Sequence, residues 1–418
     1  MWKFYYDEAF HDRKITVKED FINIYQKDSS DIYVGFFCGY RDIKEKEIWG
    51  KYNIFEEKYK KIYTIDKDKE LKGTTIKKKN YKNGFSSFVK NTVQFYNDFF
   101  EILDDSEVIF HVSMFSKTEL IIKEFMKNVI FNNTISFNED AFLYSLIKFL
   151  YNYRNQGLLK KMIQIQDTKD VTEALNYIKN MLNKVILESG ASKKKVAERN
   201  ALKEVLLLLN YASVNKNFKK PELSWCYEPV FTGFNKLLCE RNIDKTDVEL
   251  LIDKEGKTFE AAKLSGNYYE CKEGDSHECI GIRISDILSH FFGELSVAIE
   301  CELKESEIIS EEDLSKVDYF TKKLLSAEWF NISEEQFLLW RKIEMIFANY
   351  QLYEWTGYDS VFGDYPVLVF ALLEYIYKYQ TYEDFRNVTK ELHSEYFNTY
   401  CCNKLANKFI RGGSKPAI

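Results

Sequence analysis

Proline is scarce in these 418 residues: there are four, and none precedes Pro221. Ordinary usage is about 5%. Lys, Asn, Ile, Tyr and Phe are all plentiful, so the shortage follows the general composition and carries no functional message. Cys-x-x-Cys is absent. The eight cysteines fall at 38, 226, 239, 271, 279, 301, 401 and 402, and the five histidines are scattered. That spacing argues against a zinc knuckle, and adjacent Cys401 and Cys402 read as a reduced thiol pair. No apolar run approaches the ~18 residues of a membrane span; the most apolar stretch, Pro366–Leu373, is soon broken by Glu374. Met1–Glu8 has neither an apolar h-region nor a small-residue cleavage site, so a cytoplasmic location is expected. Positive charge is not in excess. Lys plus Arg number 59 against 65 Asp plus Glu, a net charge of −6. This excludes a uniformly basic nucleic-acid coat but leaves a local basic patch open.

What is present is enough apolar material for a core. Hydrophobic residues make up 45% of the chain and aromatics 16%, which argues against global disorder. At roughly 150 residues per domain, the length holds two or three domains or one decorated core. Trp2–Tyr6, Ile32–Tyr40 and Leu71–Ile76 have strand character. Phe85–Leu103 has helical spacing, and Glu107–Met114 alternates as a fourth strand. Residues 139–212 read as helical, with a capping box at Asp170-x-x-Glu173 and a loop at Gly190–Lys195. Ser213–Pro221 reads as a linker, 228–240 as a helix and Val248–Ile252 as a fifth strand. Cys279–Cys301 is a long amphipathic helix whose apolar stripe includes Ile284, Ile287 and Phe291. Residues 302–316 read as an acidic connector; helices resume at Asn331 behind a Ser333-x-x-Gln336 box, and Arg411–Lys415 is a tail. The units expected are 1–138, 139–220 (a helical insertion), 221–303 and 317–410 (a C-terminal helical region).

Asp7 and Glu8 end the first strand. Asp is depleted in strands, so this pair is either a solvated strand end or one wall of a site. Successive strand residues face opposite ways, so both reach one site only where the strand is ending. Asp286 lies within the 279–301 helix, with Arg283 three residues before it and His290 four after. Those spacings suit an exposed intrahelical Arg–Asp pair, or a second wall of the same site. Three strands, a helix, a strand, a helix, a strand and a helix is also the order of a ribonuclease H-like core.

FYYDEAFH (Phe4–His11) and IGIRISDILS (Ile280–Ser289) resemble the N-terminal Asp-Glu and C-terminal Gln-x-x-Asp motifs of the bacterial family called domain of unknown function 3800. ELKGTTIK (Glu70–Lys77), Ser116-Lys117 and LLIDKEGKT (Leu251–Thr258) resemble further segments of it. The resemblance covers roughly residues 1–300 apart from the helical insertion. It implies an α/β fold, a ribonuclease H-like mixed sheet with flanking helices, whose first strand is central and crossed by a late helix. Acidic residues on those elements would hold Mg²⁺ or Mn²⁺, two ions in the usual arrangement, for phosphodiester cleavage. Carried over residue by residue, Asp7, Glu8 and Asp286 are the principal ligands, with Glu70, Glu119 and Asp253 as further carboxylates. Lys117 would meet a scissile phosphate or cap a strand end. Two positions depart from the pattern. Ala9 stands where the family often has Ser, and Arg283 replaces the Gln, adding a charge that pairs with Asp286 or binds phosphate.

Lys58 to Lys82 holds ten Lys and three acids, a local charge of +7, interleaved with Tyr59, Tyr63 and Tyr81. Lys58, Lys60, Lys61, Lys72, Lys77, Lys78 and Lys79, with Arg283, are the candidate nucleic-acid contacts; lysines follow phosphates and tyrosines stack on bases. A solvated lysine-rich hairpin is the plain alternative. Lys193–Lys195 and Lys216–Lys220 read as ordinary basic loops. The aromatics Phe337, Trp340, Phe347, Tyr350 and Trp355 read as core, with a homodimer or protein contact as the other use of that surface. The activity expected is metal-dependent cleavage of DNA or RNA, in phage defence or a mobile element. The alternative is a non-catalytic nucleic-acid-binding, sensor or interaction module on the same fold. Two-carboxylate glycoside hydrolysis has only the carboxylates in its favour.

Overall fold

A computed structural model describes residues 1–10, 14–18, 21–25, 30–131, 136–153, 156–191, 196–254, 256–305, 324–349 and 354–411. Lys193–Lys195, the 302–316 connector beyond residue 305, Tyr350 and the tail after Arg411 lie outside the described residues.

Six strands form the principal sheet: β1 (Trp2–Ala9), β2 (Ile32–Arg41), β3 (Ile109–Ser116), β4 (Val248–Asp253), β5 (Glu270–Gly274) and β6 (Gly357–Tyr358). Their spatial order is β6-β3-β2-β1-β4-β5. β1, β2 and β3 are antiparallel in succession, while β4 runs parallel to β1 and β5 parallel to β4. The first strand therefore sits inside the sheet with neighbours on both sides.

β1 is buried on both faces at Phe4, Tyr5 and Tyr6, and its side chains alternate between two cores. Tyr5 joins one core, with Cys38 and Phe36 of β2; Phe4 and Tyr6 join the other, with Phe37 and Phe231. The long helix α10 (Ile280–Glu305) crosses the Tyr5 face. Ser285 Oγ donates to the Tyr5 carbonyl at 2.9 Å. A Cβ at Gly281 would stand 2.3 Å from the Tyr5 ring, so the close crossing requires glycine there. Helices α8 (Glu228–Glu240) and α9 (Gly256–Ser265) pack on the other face.

Helix α1 (Asp42–Ile62) follows β2, a stretch without a predicted helix. Its buried residues Ile48, Tyr52, Phe55 and Tyr59 keep helical spacing, but lysine and glutamate crowd the rest and dilute the contrast between faces. The third strand expected at Leu71–Ile76 is not a strand. It is an irregular segment entering a 3-10 turn at Gly73–Thr75. Helix α2 (Lys90–Ile102) begins later than predicted, because the preceding Gly84–Ser87 is a separate 3-10 turn. β5, β6 and α9 were not legible: β6 has two residues, and β5 (ECKEG) is polar.

Helices α3 (Lys117–Met126), α4 (Glu139–Asn152), α5 (Gln156–Gln164), α6 (Thr168–Glu188) and α7 (Val196–Asn210) follow β3. Asp167 rather than Asp170 caps α6, accepting from the Lys169 and Asp170 amides. Val129–Phe131 pairs antiparallel with Ala212–Val214. The helices between them thus leave and return at one place. Part of the predicted linker is this returning strand. In the C-terminal region, α11 (Glu334–Glu344) opens on the expected Ser333–Gln336 capping box and α12 (Asp364–Tyr375) packs against the last helix, Lys390–Arg411. Phe337, Trp340 and Phe347 are core residues, as expected; Trp355 is half-buried. Among the described residues no helix is long and apolar enough to cross a membrane, and none of the eight cysteines is in a disulfide.

Candidate active site

At the end of β1 the sheet and helix α10 enclose a cavity of about 190 Å³. It is lined by Asp7, Glu8, Glu70, Lys72, Asp253, Ser276, Arg283 and Asp286. Local structure explains each arrival. Asp7 follows Tyr5 by two residues, so it leaves β1 on the face that α10 crosses. Ile252 of β4 pairs in parallel with Tyr6, which brings Asp253 to the same end of the sheet. Asp286 lies one residue beyond Ser285, the residue that fastens α10 to β1. Glu70 and Lys72 come from the irregular segment, which Gly73 seats against α10. The Gly73 amide donates to Asp286 Oδ2 at 2.6 Å. A Cβ at Gly73 would lie 2.4 Å from the His290 Cβ.

Five carboxylates face two cations in this space, and its electrostatics follow. Burial and then the charges of Asp286 and Asp253 hold the Asp7 pKa well above the ordinary carboxylate range; the hydrogen bond from the Glu8 amide opposes this. Asp286 is pushed up to about 6, chiefly by burial, with the Gly73 amide and Lys72 pulling it back. Burial also raises Glu70. Contacts from Lys72 and Ser276 and the charge of His277 outweigh it, so its pKa ends below the usual value. Lys72 Nζ stands 2.7 Å from Glu70 Oε1, whereas the buried Glu70 Oε2 has no hydrogen-bond partner.

Glu8 reaches the cavity from the opposite face of the sheet. Its Oε2 accepts from the hydroxyls of Tyr6 and Tyr33, each at 2.8 Å, and the Thr258 hydroxyl stands at 3.4 Å. This tyrosine pair, invisible in the one-dimensional pattern, spends much of Glu8's acceptor capacity. Just beyond β1, Phe10 takes a left-handed backbone (φ 59°), and a Cβ on Gly293 of α10 would meet its ring at 2.6 Å. Such a backbone is costly for a bulky residue, and the packing on α10 holds it there.

Arg283 does not pair with Asp286. Its Nη1 donates to Glu56 Oε1 and Oε2 at 2.9 and 2.7 Å, and its buried Nε has no partner. Glu56 comes from α1 and also accepts from the Leu71 amide at 3.0 Å. The extra charge at position 283 is thus balanced outside the carboxylate cluster, by Glu56 of α1, a helix that the sequence pattern does not predict. Helical spacing across 48–59 is the signal that could have found it. Ser276, in the turn before α10, had no signal.

Two proposed site residues lie elsewhere. Lys117 is buried, and its Nζ donates to the Ser30 carbonyl at 2.8 Å; its role is the strand-end cap. Glu119, in the first turn of α3, accepts from the Val361 and Phe362 amides at 3.2 and 2.9 Å and pairs with Lys123. It ties the C-terminal segment to α3 and does not line the cavity.

The proposed nucleic-acid contacts divide in the same way. Lys58 is paired with Asp98, and Lys60 stands 3.4 Å from Glu56. Lys61 is exposed at the end of α1 and Lys78 is exposed beside α10, neither lining a cavity. Lys72, Lys77 and Lys79 line a second, larger hollow that abuts the first. Tyr59 and Tyr81 are fully buried and so cannot stack on bases; Tyr63 is half-buried and lines that hollow.

Among the described residues, no three His, Cys, Asp or Glu side chains are already arranged as a metal-binding group. The donor chemistry nonetheless suits a hard divalent cation: carboxylate oxygens in excess of cations, one with an unpartnered buried oxygen. Compared with protein-family models, curated proteins and solved structures, the chain matches none.

Proposed function

We propose that this chain is a divalent-metal-dependent nuclease built on a ribonuclease H-like core, hydrolysing phosphodiesters of DNA or RNA. The observation that carries the reading is the convergence of Asp7, Asp253 and Asp286 on one cavity from a central first strand, its parallel neighbour and a late helix. Uncompensated carboxylates packed together are costly. They persist in folds where a cation or a proton offsets them. Burial raises the pKa values of Asp7 and Asp286, and neighbouring carboxylates add to the rise; a Mg²⁺ or Mn²⁺ ion held by these two residues, with Asp253 and Glu70 as the other donors within reach, would offset that repulsion. When bound there, the ion supplies charge neutralisation at the phosphate and at the attacking and leaving oxygens. Lys72, beside Asp286, is positioned to neutralise a non-bridging phosphate oxygen. Arg283 also lines the cavity and is a second cation facing the same group.

The non-catalytic alternative draws on Ala9, Arg283 and the acidic net charge. Pairing of Arg283 with Glu56 leaves the carboxylates facing one another, which favours the catalytic reading. The test is cleavage of labelled DNA and RNA oligonucleotides with Mn²⁺ or Mg²⁺. Asp7→Ala/Asp286→Ala is expected to lose at least about 100-fold in rate. Undiminished cleavage by that variant overturns the assignment.

A further inference from the structure

Next to the carboxylate cavity lies an open hollow of about 830 Å³. The two share Glu70 and Lys72, so the hollow leads directly to the proposed scissile phosphate. Its walls are of two kinds. Lys69, Lys72, Lys77 and Lys79 are exposed and stand along it. The accessible lining as a whole, lysine stems included, is more apolar than polar. Tyr63, Ile65, Ile76 and Val89 contribute to it, and Val89 is 60% exposed. Nothing in the described fold covers that valine, which lines the same hollow as the half-buried Tyr63. Asn80, Asn91 and Thr74 add amide and hydroxyl groups at the edges.

We infer that this hollow binds unpaired nucleotides flanking the cleaved bond, so that the substrate is single-stranded at that point. The inference rests on the nuclease reading for the position of the scissile phosphate. Phosphates alone would be served by lysines over a polar surface. An apolar floor inside a lysine rim instead suits a chain that is anionic on one side and carries flat apolar rings on the other. A duplex keeps its bases stacked inside and its phosphates outside, so it offers this floor nothing. The side-chain amides can meet base edges, which are free only in an unpaired strand.

Fluorescence anisotropy of a labelled 12-mer, single-stranded or annealed to its complement, tests this in chelator, where no cleavage occurs. The wild-type chain is expected to bind the single strand at least 10-fold tighter than the duplex. Lys77→Glu/Lys79→Glu is expected to weaken single-strand binding at least 10-fold and to reduce its salt dependence. Val89→Glu, which alters the floor without touching a lysine, should weaken it as well. These three positions are exposed, and a thermal melt checks that each variant folds. Equal affinity for duplex and single strand, or unchanged binding by both variants, overturns the inference. Asp7→Asn separates the two claims. Cleavage lost in Asp7→Asn while the groove variants bind normally leaves the nuclease and removes the groove. Groove-dependent binding with cleavage undiminished in Asp7→Asn does the reverse.

Discussion

Glu56 decides what Arg283 does. With side-chain exposures of 8% and 11%, the pair lies in the range where breaking it costs far more than its net worth. Glu56→Ala is expected to destabilise the fold by about 3–5 kcal/mol in urea denaturation. Adding Arg283→Gln, which removes the stranded charge, should recover much of that loss, and the double-mutant cycle measures the coupling. Single-residue chemistry was largely readable at Asp7 and Asp286, because a carboxylate closing an aromatic strand and another on an apolar helix stand out against their neighbours. Glu119, a further carboxylate near a strand end, does something else. Its partners, the amides of Val361 and Phe362, lie some 240 positions away, and no local pattern announces them.

Segments 70–76 and α1 show what happens one level up. The first departs from the strand its pattern predicts, the second has no predicted element, and both hold the site together. The 70–76 segment has β-branched residues but no sheet edge to pair with. It folds instead against α10, where Gly73 delivers its amide to Asp286. Gly73→Ala puts a methyl group into His290, so the turn has to move. The expected result is a stability loss of about 1–3 kcal/mol together with impaired cleavage. Gly50→Ala on α1, where an added Cβ meets nothing, is the control and should be neutral or slightly stabilising. β1, β2, β3, β4 and α10 were legible because buried elements carry strong apolar signals. The polar β5 and the two-residue β6 take their existence from the sheet they join.

Across the whole molecule, acid is buried beyond the site as well. Glu294 on α10 is raised to about 7 by burial, with Lys78 opposing. Glu344 on α11 is raised to about 8 by burial and by Glu374. Both are buried with an unpartnered Oε2. A folded pKa above the unfolded value means that the native state binds the proton more tightly. Stability is then greatest at acidic pH and falls as pH rises from the unfolded value near 4.5 through 7 and 8. Thermal melts are expected to show this decline between pH 5 and 8.5. Glu294→Gln/Glu344→Gln should flatten it, recovering a few kcal/mol at the alkaline end. The net charge of −6 is thus an uneven average: a lysine-lined hollow beside an acidic cavity, with further carboxylates held inside.

The most direct test of the central claim is anomalous diffraction from crystals soaked in Mn²⁺. The account predicts an anomalous peak in the cavity bounded by Asp7, Asp253 and Asp286, with Arg283 still turned toward Glu56. A cavity without a peak at millimolar Mn²⁺, or Arg283 swung in to occupy it, would contradict the account.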